Sequence, residues 1–160
     1  IGSEERGISE AIALNLREMS RLRTPLISVV IGEGGSGGAL GLGVTDRILM
    51  LEHSVYSVIS PEGCAAILWH SRDFKAEAAA ALKLTSRDLL ASGIVDEVIP
   101  EPAGGAHSDW DAAAEAVKAS LERNLEELLK LDPNDLVEQR WEKYEAIGAW
   151  VEDSDQADGA

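Results

Sequence analysis

"VVIGEGGSGGALGLG", residues 29–43, decides how the rest of the chain is read. Seven of its fifteen residues are glycine, and it overlaps the end of the apolar, β-branched run Leu26–Ile31. That run reads as a buried strand. The glycines after it fit two catalytic signatures at once. Gly32-Glu33-Gly34-Gly35-Ser36-Gly37 fits the G-x-G-x-x-G dinucleotide fingerprint, with Glu52 about 20 residues on, where the ribose-binding acid belongs. Gly34-Gly35-Ser36-Gly37-Gly38 fits the G-x-S-x-G nucleophile elbow, with Ser36 as nucleophile. The fingerprint needs an extended helix behind it, yet only a glycine-rich segment of about two turns precedes the break at Thr45-Asp46. The elbow needs a downstream acid and histidine; His53, His70 and His107 are present, but at no telling spacing. A third reading uses the backbone. Consecutive glycines at a strand-to-helix junction turn bare N–H groups toward one point, where the helix dipole adds positive charge. Such a loop stabilises an oxyanion such as a thioester enolate, and a Cβ there would obstruct the acyl group. Gly37 and Gly38 are the expected donors, with Ser36 a bystander. Close strand–helix packing is the competing explanation for any single glycine.

Working outward, Ile8, Ile12, Leu16 and Met19 recur at helical spacing and predict one amphipathic helix over residues 4–22, ended by Thr24-Pro25. A short helix is expected over Ala39–Val44, then strands over Arg47–Leu51 and Ser54–Ile59. Ser60 is an N-cap with Pro61 at the first helical position, and Gly63 lies one turn inside. Lys75–Leu82 reads as helix, Thr85 caps another through Leu90, and Val95–Ile99 is a strand closed by Pro100. Residues 109–130 predict the longest helix, with Trp110, Ala114, Val117, Leu121, Leu125 and Leu128 as its apolar stripe. Asp132-Pro133 starts a last helix with Val137, Trp141, Tyr144 and Ile147 inward. Strands alternating with helices argue for an α/β domain over residues 1–150, and the acidic residues 151–160 read as a disordered tail.

The net charge is −15, and residues 96–160 account for −13 of it. That balance argues against nucleic acid, which needs a basic footprint, and fits a solvated face. No apolar run reaches the roughly 20 residues of a membrane helix, and no basic stretch leads into an apolar core as in a signal peptide. Cys64 is the sole cysteine, so no internal disulfide forms, and neither it nor the histidines show metal-ligand spacing. The expected compartment is the cytoplasm.

Three stretches carry a family resemblance: "EERGISEAIALNLREMSRL", "PLISVVIGEGGSGGALGLGVTDRILMLEHSVYSVISPEGCAAILW" and "IPEPAGGAH". Together they resemble the carboxyltransferase α subunit of bacterial multisubunit acetyl-CoA carboxylase, over nearly the whole chain. "LLASGIVDEVIPEP" resembles the closing segment of the wider crotonase superfamily. The resemblance implies a crotonase-type β-β-α spiral with C-terminal helices. It implies carboxyl transfer from carboxybiotin, borne on a biotin carrier protein, to acetyl-CoA to form malonyl-CoA for fatty-acid synthesis. It implies a zinc-ribbon β subunit as partner in an α2β2 assembly, with zinc in that partner and none in this chain. Carried across, Gly37 and Gly38 match the oxyanion-hole glycines. Gly34, Gly35, Ser36 and Ala39 would shape the same pocket, and Ser60, Pro61, Glu62, Gly63 and Cys64 would line it on the biotin side. The family's subunit is about twice this length, so the chain is expected to be its C-terminal half. Two alternatives stay open: another crotonase-like acyl-CoA enzyme, including a hydrolase using Ser36, and a non-catalytic fragment that binds a partner.

Overall fold

The computed structural model describes residues 1–148; the expected tail, residues 151–160, lies outside them. Two short helices come first, α1 (Gly2–Glu5) and α2 (Ile8–Met19). The single helix expected over residues 4–22 is therefore divided. Gly7 takes φ +78°, a left-handed conformation open to glycine, and becomes the N-cap of α2.

The chain then winds twice through the same path. The first turn is β1 (Ile27–Val30), β2 (Glu33–Gly35) and α3 (Ser36–Gly43). The second is β3 (Arg47–Leu51), β4 (Val55–Ser57) and α4 (Pro61–Leu68). A 3-10 turn at Arg72–Phe74 leads to α5 (Lys75–Leu82) and α6 (Ser86–Ala91), then β5 (Glu97–Ile99), α7 (Trp110–Leu128) and α8 (Pro133–Glu145). The first strand of each turn joins one parallel sheet, ordered β1-β3-β5. The second strand joins a separate parallel pair, β2-β4. Two sheets filled alternately, with a helix closing each turn, make the β-β-α spiral.

Central β3 is buried from Ile48 to Leu51, and its alternation divides the core. Ile48 and Met50 face Leu89, Val95 and Tyr56; Leu49 and Leu51 face Ile99 and the α7 residues Val117 and Leu121.

Helix α7 keeps Val117, Leu121 and Leu128 of its expected stripe toward the core but is rotated so that Ala113, Ser120 and Asn124 are also buried, whereas Trp110 is 77% exposed and Leu125 faces outward. The cause is Glu97 on β5. Its carboxylate accepts hydrogen bonds from Ser120 Oγ at 2.7 Å, Asn124 Nδ2 at 2.7 Å and the Arg123 guanidinium. Burial pushes this carboxyl up, but the three donors outweigh it and hold it below the ordinary value of 4.5. A depressed carboxylate contributes stability that is complete above the unfolded-state value and is lost as pH falls through the lower folded value. The midpoint of urea unfolding is therefore expected to fall as pH drops below about 4.5. Glu97→Gln should flatten that dependence and lower stability at neutral pH by roughly 1–2 kcal/mol. An unchanged pH profile in the variant would refute the assignment.

Among the described residues no helix is long and apolar enough to cross a membrane.

Candidate active site

Strands β2 and β4 run parallel in the register Glu33↔Val55, Gly34↔Tyr56, Gly35↔Ser57. They therefore end side by side. Helix α3 leaves directly from the end of β2, and α4 starts four residues past Ser57. The Gly34–Ala39 and Ser60–Gly63 segments are thereby carried to neighbouring strand ends. Ser60 caps α4 as expected, accepting the Gly63 N–H at 3.1 Å. Cys64 faces elsewhere, into a small core with Ala65, Ala78, Ile59 and Leu82 between α4 and α5.

The helix after the glycine loop begins earlier than the expected Ala39. It starts at Ser36, which places Gly37 and Gly38 in its first turn. Gly35 is its N-cap, in extended conformation, and no side chain caps it. The first N–H groups of a helix have no intrahelical acceptor and carry its positive partial charge. Ser36 makes the sharp turn with φ +57°, a conformation uncommon outside glycine and found often at functional junctions.

The glycines divide by what a side chain would meet. A Cβ on Gly34 would lie 2.6 Å from the Tyr56 ring, one on Gly43 would lie 2.5 Å from the Tyr56 hydroxyl, and one on Gly41 would lie 3.3 Å from Ile12. Packing explains those three. Among the described residues a Cβ on Gly35 or Gly38 would meet nothing within 4 Å, and one on Gly37 would make an ordinary contact of 3.6 Å with Ile12. None of these last three has a left-handed φ. The fold has no need of glycine at 35, 37 or 38.

Beside this helix start lies a cleft of about 420 Å³, with Ser36 and Ser57 at its polar side and Leu40, Tyr56, Leu82 and Leu89 among its walls. Tyr56 donates to the Ala39 carbonyl at 3.3 Å, and burial pushes its hydroxyl pKa up, so it stays a neutral donor. A larger apolar groove of about 780 Å³ runs along α7 past Ile31, Trp110 and Val117, but the glycine loop beyond Ile31 takes no part in it.

No hydrogen bond among the described residues joins Ser36 to a histidine, and Glu52 is engaged with Arg87 at 3.1 Å. The chain also changes sheets between β1 and α3, whereas a dinucleotide loop connects one strand directly to its helix. Among the described residues no three His, Cys, Asp or Glu side chains cluster as metal ligands.

Two arrangements escaped the reading of the sequence. Glu101 accepts the N–H groups of His53 at 2.8 Å and Ala106 at 2.7 Å, with His53 Nδ1 at 3.3 Å. Burial raises this carboxyl, and those bonds together with His53 bring it below the ordinary range. The other is a buried ion pair, Asp46–Arg140, which is 4% and 1% exposed. A carboxylate beside the glycines of "PEPAGGA" was a signal for the first; nothing local signals the second.

An α/β spiral of two parallel sheets, each turn closed by a helix, defines a crotonase-like fold. The chain belongs to the acetyl co-enzyme A carboxylase carboxyltransferase-like family, whose model matches residues 1–148. It is 56% identical, over 99% of its length, to the acetyl-coenzyme A carboxylase carboxyl transferase subunit alpha of Synechococcus sp. (strain CC9311), covering 48% of that protein. It is 57% identical, over 95% of its length, to the corresponding subunit of Gemmatimonas aurantiaca, again covering 48%. The chain thus spans about half the length of the curated relatives it matches. In fold it is similar to a Pseudomonas malonate decarboxylase hetero-tetramer solved with coenzyme A, with TM-score 0.67 and 20% identity over 88% of this chain and 55% of that one. It is also similar to the transcarboxylase 12S core, with TM-score 0.54 and 26% identity over 62% of this chain and 21% of that one.

Proposed function

We propose that the chain forms the oxyanion-stabilising part of an acetyl-CoA carboxylase carboxyltransferase α subunit, acting in malonyl-CoA formation from acetyl-CoA. The observation that carries this reading is the pair Gly37 and Gly38: glycines that packing does not require, in the first turn of an uncapped helix whose first residue, Ser36, lines an apolar cleft. Removing a proton α to a thioester places charge on the carbonyl oxygen, and fixed N–H donors stabilise that charge as it develops. Gly37 and Gly38 donate, and the missing side chains leave room for the acyl group. Gly34, Gly35, Ser36 and Ala39 shape the approach. The polar N-terminus of α4, from Ser60 to Gly63, forms the neighbouring biotin side, with Cys64 behind it in the core. When bound, carboxybiotin on its carrier protein supplies the carboxyl group and, after decarboxylation, a basic nitrogen. A zinc-ribbon β subunit completes the site in an α2β2 assembly in the cytoplasm. Residues 1–150 act as one domain.

The reading is tested with the full reading frame, co-expressed with the zinc-ribbon subunit and assayed for malonyl-CoA from acetyl-CoA and carboxybiotin. A stable complex with no turnover above background would replace it with the partner-binding alternative. Ser36→Ala separates the hydrolase alternative. A carboxyltransferase retains most of its activity, whereas a serine hydrolase without its nucleophile loses on the order of 10⁶-fold in kcat.

A further inference from the structure

Polar contacts tie the last helix to the C-terminal residue of α3, to the segment that follows it and to the connection between α2 and β1. Arg140 on α8 presents its planar fork to Asp46, with Nε 2.7 Å from Oδ1 and Nη2 2.9 Å from Oδ2. Its remaining protons go to the carbonyls of Met19 and Leu22 at 2.9 and 2.8 Å, and of Thr24 at 3.1 Å. Asp46 Oδ2 also accepts the Leu26 N–H at 2.7 Å, where the chain enters β1. One helical turn on, Tyr144 accepts the Thr45 N–H at 2.9 Å and donates to the Gly43 carbonyl, the last residue of α3.

From this geometry we infer that α8, through Arg140 and Tyr144, is a clasp that positions α3 and so sets where the Gly37 and Gly38 N–H groups point. The inference rests on the proposed oxyanion role of those glycines. Helix α3 has eight residues and is about 12 Å long. Held at Gly43, it moves as a rod, and a displacement at its C-terminal end reappears at its N-terminal donors. Along its length α3 meets Ile12 of α2 at Gly37 and Gly41, the Asn15 amide donates to the Gly41 carbonyl, and Tyr56 donates to the Ala39 carbonyl at 3.3 Å. Asn15 and Tyr56 hold the middle of the helix, and Tyr144 holds its C-terminal residue, which fixes the tilt of the rod. Arg140 and Tyr144 are positioning residues, since neither touches the helix start.

The test is steady-state kinetics of the full-length α subunit in complex with its β subunit, for Tyr144→Phe and Arg140→Lys, with folding checked by circular dichroism. A shift of about 1 Å in a catalytic group can lower rate on the order of 10²-fold. The expected result is a fall in kcat of roughly 10- to 100-fold, with KM for acetyl-CoA within about twofold, in variants that remain folded. Tyr144 also lines the cleft, so a raised KM at unchanged kcat would place it in substrate binding and overturn the clasp. An unchanged kcat in folded Tyr144→Phe, alongside an inactive Gly38→Val, overturns the clasp alone. An active Gly38→Val overturns the oxyanion reading and the clasp with it. If Arg140→Lys fails to fold, Tyr144→Phe decides, because it removes one hydroxyl and leaves the ion pair intact.

Discussion

Gly38→Val is expected to abolish malonyl-CoA formation by the assembled enzyme while leaving the subunit folded and bound to its partner. Loss of a single oxyanion donor in other acyl-transfer sites costs about 10²–10³ in kcat. Here the N–H itself survives, but an isopropyl group fills the space in front of it, so the carbonyl oxygen cannot reach Gly37 or Gly38. The loss should meet or exceed that range. The fold should tolerate the change. A Cβ at Gly38 meets no atom of the described residues within 4 Å, and φ there is not left-handed. Gly34→Ala provides the contrast. Its methyl would enter the Tyr56 ring at 2.6 Å, so it should destabilise the β2-β4 pair and lose activity through misfolding. Circular dichroism and co-purification with the β subunit distinguish the two failures. Near-normal turnover by Gly38→Val would remove the backbone-oxyanion role.

The second large effect is on stability. Arg140→Met leaves the Asp46 carboxylate buried with, among the described residues, only the Leu26 N–H as a close polar partner, and frees the carbonyls of Met19, Leu22 and Thr24. Breaking one side of a buried pair costs about 3–5 kcal/mol, much of it the penalty for the stranded charge. The double variant Arg140→Met with Asp46→Asn removes that charge and should recover part of the loss. Urea unfolding of the single and double variants gives the comparison. A single-variant loss below about 1 kcal/mol would mean that water reaches Asp46 and the pair is not a buried one.

Much of the fold was legible along the chain because its determinants are local. The β-branched runs place β1 and β3. Ser60, Thr85 and Asp132 accept from N–H groups two or three residues on, at Gly63, Asp88 and Asn134, as cap chemistry requires. The bare backbone of the glycine loop was legible too, since the sequence displays an absence of side chains directly. Strand β2 was not. Glu33-Gly34-Gly35 has poor intrinsic strand propensity, and pairing with Val55–Ser57, some twenty residues on, makes it a strand.

Amphipathic periodicity showed that residues 109–130 and the segment after Asp132 are helices. It could not set their rotation, because the decisive contacts are polar and distant. Glu97 turns α7 by drawing in Ser120 and Asn124 from 23 and 27 residues away. Asp46 turns α8 by drawing in Arg140 from 94 residues away, in place of the expected Trp141 and Ile147. The sequence by itself determined most of the local elements and the bare backbone at residues 37 and 38. Tertiary structure alone decided which charges are buried together, because a carboxylate leaves water only where a distant donor meets it in the folded chain.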